Sequence, residues 1–121
     1  MNKAQAIHQF WSSFGIPAYD TNTVKPDAEM PYITYDVSTG DLDDPVSLSA
    51  SIWYHSTSWE DISKKADVIA WVARSHVPVA IDGGYMWITQ GRPFAQRMND
   101  PDDTMIRRIV INVTAEFLTN Y

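Results

Sequence analysis

From Arg108 to Phe117 the chain alternates between two kinds of side chain. Ile109, Ile111, Val113, Ala115 and Phe117 fall on one parity, and Arg108, Val110, Asn112, Thr114 and Glu116 on the other. Successive side chains of a β-strand point to opposite faces, so this pattern predicts a long strand with one buried face. A second segment, VSLSASIWYHS, repeats the pattern, with Val46, Leu48, Ala50, Ile52 and Tyr54 opposed to Ser47, Ser49, Ser51 and Trp53. Two such strands need a sheet around them and a cover for their apolar face.

The cover is predicted as two helices. Ala4, Ile7, Trp11 and Phe14 recur at spacings of three and four between Lys3 and Phe14, and Gly15 with Pro17 ends that helix. In STSWEDISKKADVIAWVARSH, Ser58 and Asp61 stand at capping-box spacing, and Trp59, Ile62, Ala66, Ile69 and Ala73 form an apolar stripe that Pro78 closes. Between the helices, IPAYDTNTVKPDAEMP is expected to be a connecting loop, and YITYDVS a strand with Ile33, Tyr35 and Val37 on one face. In VAIDGGYMWITQG, Asp82, Gly83 and Gly84 separate two β-prone runs and predict a hairpin. The segment from Pro93 to Met105 is expected to be an irregular charged loop.

The resulting order, α, β, β, α, β, β, β, predicts an α+β fold: an antiparallel or mixed β-sheet with two α-helices packed on one face. At 121 residues, positions 1–121 suit one domain that buries roughly two-thirds of its unfolded surface.

Composition narrows the function. A net charge of -6 with nine Lys and Arg argues against specific nucleic-acid recognition, which needs clustered cations to neutralise phosphates. The absence of cysteine excludes disulfides, thiolate metal sites and Cys nucleophiles. VIAWVA, from Val68, is too short to span a bilayer, and MNKAQAIHQFWSSFG lacks a signal-like apolar core, so a soluble, unprocessed protein is expected with no membrane partner.

Motifs that carry a defined mechanism, such as GxSxG, GxGxxG, GxxxxGK, HExxH and CxxC, do not occur. No catalytic residue, cofactor or metal site is therefore assigned, and no enzymatic activity is expected. His8, His55 and His76 are scattered, and packing or capping roles suit them better than ligation. Asp100, Asp102 and Asp103 resemble a cation cluster but lack the glycine and distal glutamate of a calcium loop. Pairing with Arg92, Arg97, Arg107 and Arg108, within the subunit or across to a neighbour, is the expected alternative. Asp82 reads as a turn residue, and the NVT at Asn112 falls within a predicted strand. Among Trp53, Tyr54, Trp59, Tyr85 and Trp87, the contact candidates are Trp53 and the alternate face of the hairpin.

The stretches QFWSSFGIPAYD, PYITYDV, SLSASIWYHSTSW, DGGYMWITQGRPFAQRM and IRRIVINVTAEFL together resemble small tail proteins of long-tailed bacteriophages and prophages of Gram-positive hosts. The nearest family is the tail terminator group, also called tail completion or minor capsid proteins. The resemblance lies in the order of elements across most of the chain, without a catalytic signature. It implies a structural protein that forms a homohexameric ring on the tail tube, ends tube polymerisation and presents a head-joining surface. Its implied partners are further copies of itself, the tail tube protein and a head-completion or connector protein. Its implied place is the head–tail junction of a virion made in the host cytoplasm.

In such a ring the Pro93–Met105 loop is expected to be an arm, with Trp53, Arg92, Arg97, Asp100, Asp102 and Asp103 at a subunit or tube interface. A lumen that passes DNA must not bind phosphate, which makes Asp41, Asp43 and Asp44 candidates for lining it. A head-completion or adaptor protein on the portal side, and a small ligand-binding domain, are the alternatives left open.

Overall fold

A computed structural model describes residues 1–39, 44–75 and 77–119. Helix α1 (Lys3–Ser12) is followed by the short strands β1 (Ala18–Asp20) and β2 (Tyr32–Tyr35) and the long strand β3 (Val46–His55). Helix α2 (Glu60–Arg74) then leads to β4 (Val77–Ile81), β5 (Gly84–Asn99) and β6 (Ile106–Leu118). The six strands form one mixed sheet in the order β1-β2-β3-β6-β5-β4. Only β1 and β2 run parallel; the other pairs are antiparallel. The α+β class expected from the sequence is the observed one.

The two alternating segments lie side by side at the sheet centre, in register from Val46↔Ala115 to His55↔Ile106. Leu48, Ala50, Ile52, Ile109, Ile111, Val113, Ala115 and Phe117 are buried together with Met86 and Ile88 of β5. Ala6, Ile7, Phe10 and Trp11 of α1 and Ile62, Ala66, Ile69 and Ala73 of α2 join the same core. The indole N–H of Trp11 is buried without an acceptor, which costs about 1–3 kcal/mol. The ring lies 4.9 Å from Phe10 and 6.5 Å from Phe14, and full burial of so large a side chain is worth more than that penalty, about 3–5 kcal/mol.

Helix α1 contacts both β1 and β4, the two ends of the strand order. Laid flat, those ends stand five strand spacings apart, about 24 Å. A ten-residue helix is about 15 Å long, so it reaches both only because the sheet curls into a half-barrel.

Several local expectations are corrected. Ala4 is exposed, and the inward stripe of α1 is Ala6, Ile7, Phe10 and Trp11, continued by Phe14. The capping box sits on α1, where Asn2 and Gln5 exchange side-chain and backbone hydrogen bonds of 2.8 and 2.9 Å. At α2, by contrast, Trp59 is the N-cap residue without a side-chain bond, and the Ser58 hydroxyl accepts from the Glu60 N–H instead. Glu60 and Asp61 still favour that end through the helix dipole. The expected loop before β2 contains β1, and β2 stops at Tyr35, leaving Val37 exposed.

The largest correction concerns Pro93 to Met105. Strand β5 continues through Pro93 to Asn99, and only residues 100–105 connect it to β6. Proline disrupts a regular ladder but is accommodated at a bulge. Between Gln90↔Val113 and Ala95↔Ile111, β5 advances five residues while β6 advances two. Asn112, opposite this bulge, donates from Nδ2 to the Pro93 carbonyl at 2.9 Å and accepts the Ser49 hydroxyl at 2.7 Å.

Candidate functional site

Trp59, Arg97 and Arg107 come from three separated segments and meet at one end of the sheet. The Arg97 guanidinium lies 4.7 Å and that of Arg107 5.2 Å from the centre of the Trp59 ring. Arg97 also donates to the Ser63 hydroxyl at 3.4 Å. Arg107 donates to the carbonyls of Thr104 (2.7 Å) and Thr57 (3.1 Å), which ties the β5–β6 connection to the segment before α2.

The carboxylates of that connection serve the connection itself. Asp100 accepts the N–H groups of Asp102 (2.8 Å) and Asp103 (3.1 Å), an Asx-type turn. Asp103 accepts the Met105 N–H at 2.8 Å and faces the His55 ring nitrogen at 3.0 Å. The Met105 N–H, and after it the His55 ring, hold the Asp103 carboxyl below the usual carboxylate range. Among the described residues no arginine forms an ion pair with an acid, so within the subunit the expected Asp–Arg pairing is replaced by Asp–backbone, His–Asp and Arg–aromatic contacts.

The outer sheet face has two unlike ends. At one end Trp53, opposite Arg108 in the register, donates from its indole to the Thr34 hydroxyl at 2.9 Å. The Arg108 guanidinium lies 4.6 Å from the Trp53 ring and donates to the Ser51 hydroxyl at 3.1 Å. With Thr21, Asp36 and Ser49 these groups line a shallow groove of about 160 Å3. Trp53, expected as a free contact residue, is half-buried in this network.

At the other end Tyr85 is paired across from Leu118, and Trp87 across from Glu116. Tyr85 is 55% exposed, Trp87 39% and Leu118 40%, an apolar patch on the hairpin face that the strand parity predicts. The turn that places it is Asp82-Gly83, with Gly83 at φ +79°. Gly84 is required by close approach, since a Cβ there would stand 1.9 Å from the Leu118 carbonyl oxygen.

The remaining candidates are dispersed. Arg92 is exposed at the bulge, where it lines a groove of about 230 Å3 with Arg74, Thr89, Gln90 and Gly91. Asp102 is exposed on the connection, and Asp44 is exposed just before β3. Asp41, Asp43 and His76 lie outside the described residues. His8 bonds the Tyr35 hydroxyl at 2.7 Å and the Ser12 hydroxyl at 3.2 Å, a packing role.

One residue escapes the sequence reading altogether. Trp71 of α2 is 72% exposed, beside Val68 three positions earlier at 49%. Its signal was its position off the inward stripe of Ile62, Ala66, Ile69 and Ala73. Comparison with protein-family models, with curated proteins and with solved structures finds no match.

Proposed function

We propose that this protein is a structural phage tail subunit of the tail terminator type. It caps the tail tube as a ring of, on the resemblance above, six copies, ends tube polymerisation and offers the surface on which the head joins. The observation that supports this reading best is the presence of large apolar side chains on the outside of the domain. Trp71 with Val68, and Tyr85 with Trp87 and Leu118, are exposed in the isolated chain, Trp71 most of all. Trp and Tyr anchor protein interfaces far more often than they serve as solvated surface, and two such clusters suit a subunit with more than one neighbour.

In this reading the partners are further copies, the tube protein and the head-side connector, and the place of action is the head–tail junction. Of the interface residues expected from the sequence, Arg92 and Asp102 offer exposed charged groups to a neighbour. Trp53, Asp100 and Asp103 hold the surface in shape through the contacts described above, and Arg97, stacked on Trp59, is exposed to a neighbour as well. Asp44, with Asp41 and Asp43 beside it in sequence, is assigned to the lumen, where negative charge keeps passing DNA from adhering.

An in-frame deletion of the gene in the phage or prophage that carries it, followed by electron microscopy of lysates, tests the proposal. Tails of uncontrolled length beside unjoined filled heads are the expected outcome. Tails of normal length beside detached or empty heads would move the protein to the head side as a completion or adaptor protein. Normal virions would overturn the structural reading.

A further inference from the structure

Beyond Ile88, paired with Val77, strand β5 has β6 on one side and no strand on the other. Arg92, Pro93, Ala95, Gln96, Arg97, Met98 and Asn99 are all exposed along this stretch. An uncovered strand edge presents alternate backbone N–H and C=O groups to any chain that approaches. This edge is also basic: residues 84–99 contain Arg92 and Arg97 and no acid, and of the α2 groups beside it Arg74 faces the same groove as Arg92 while Asp67 lines the groove with Arg97, which leaves three cations against one acid.

The sheet's edge at β1 has the opposite character. Residues 17–39, which form β1, β2 and their connections, contain Asp20, Asp27, Glu29 and Asp36 against the single Lys25. The chain is thus acidic as a whole yet has a basic edge at β5 and, at the other end of the strand order, an acidic region made of Asp20 on β1 with Asp27 and Glu29 in the connection beside it.

We propose that the basic β5 edge of one copy docks on the acidic β1 edge of the next. The inference rests on the ring reading and names the surfaces that build the ring. Because the two edges differ, the contact is head-to-tail, and repetition closes a ring when the rotation between copies allows it. Strand β1 is three residues long, so main-chain pairing is brief and the ion pairs select the partner. The pairing belongs to the chain itself and occurs in solution without the tube.

Charge exchange tests it, with sedimentation of purified protein as the readout. One variant carries Arg74→Glu and Arg92→Glu, and the other Asp27→Lys and Glu29→Lys; circular dichroism checks that each is folded. Each variant alone is expected to self-associate about tenfold more weakly than the wild type, since several exposed attractions become repulsions. An equimolar mixture is expected to regain association, because each reversed edge then meets a complementary one.

Variants that associate like the wild type, or a mixture that stays dissociated, would overturn the edge pairing. A wild-type chain that is monomeric at every concentration would overturn it too. The tail-capping reading would survive any of these results, because the deletion phenotype tests it separately.

Discussion

Strand β5 is two regions on one backbone. Its first half, Tyr85 to Ile88, lies between β4 and β6, and Met86 and Ile88 are fully buried. Its second half, Ala95 to Asn99, pairs with the same β6 but has no strand outside it, and every residue is exposed. Both halves obey the same ladder chemistry, and only the neighbours differ. Burial, and with it the demand for apolar residues at every second position, comes from what flanks a strand rather than from its being one. An edge released from that demand is free to carry arginines.

The sharpest way to break this contrast is a matched pair of truncations. Met86→Ala should lower unfolding free energy by about 2–5 kcal/mol, because it empties a closed part of the core. Met98→Ala, at 39% exposure on the outer half, should stay within about 0.5 kcal/mol of wild type. Urea titration of both variants measures the difference, and equal losses would mean that the second half is covered after all.

The junction between the halves should respond less. Asn112→Ala removes the amide that holds the Pro93 carbonyl and the Ser49 hydroxyl, with an expected loss of about 1–2 kcal/mol. Gly91→Ala places a Cβ 2.8 Å from the Asn112 carbonyl group and should cost about 1–3 kcal/mol. If both are neutral in thermal unfolding, the bulge does not divide the strand energetically.

The smallest effect is expected at the far tip. The folded-state pKa of Asp103 lies below its value of 3.8 in an unperturbed chain. In the acid range the unfolded chain therefore binds more protons, and stability falls as pH falls. The contribution is present above about pH 4, by the ordinary carboxylate range, and is lost as pH drops through the depressed folded value. Asp103→Asn should thus be slightly less stable than wild type at pH 7, with the gap closing towards pH 3 in parallel urea titrations. A gap that widens on acidification would contradict the hydrogen bonding described for this carboxylate.

The same contrast explains what the sequence reveals. Strands β3 and β6 and the stripe of α2 are legible because each has one face in the core, which imposes a period on its residues. RPFAQRMN has no such period, and with its proline and charges it looks like a loop although it is paired throughout Ala95–Asn99. Strand β1 is illegible for another reason: three residues cannot display a period of two, and its existence depends on β2 lying beside it. At the candidate site, the arginines were visible but their partners were not. Trp59, Arg97 and Arg107 are far apart in sequence, and only the pairing of β5 with β6 and the placement of α2 bring them to one ring.

The position of β6, last among the described strands yet third from one end of the sheet and fourth from the other, has a kinetic consequence. Without it, β1-β2-β3 and β5-β4 are two fragments with no strand pairing between them, the β4–β5 hairpin is too small to persist alone, and the apolar face of β3 lacks its central neighbour. Contacts such as Ser49 to Asn112 span 63 residues, and the entropy of closing that span precedes any reward from the ladder. The chain should therefore fold slowly for its size and in one concerted step, the two fragments joining only when β6 enters between them.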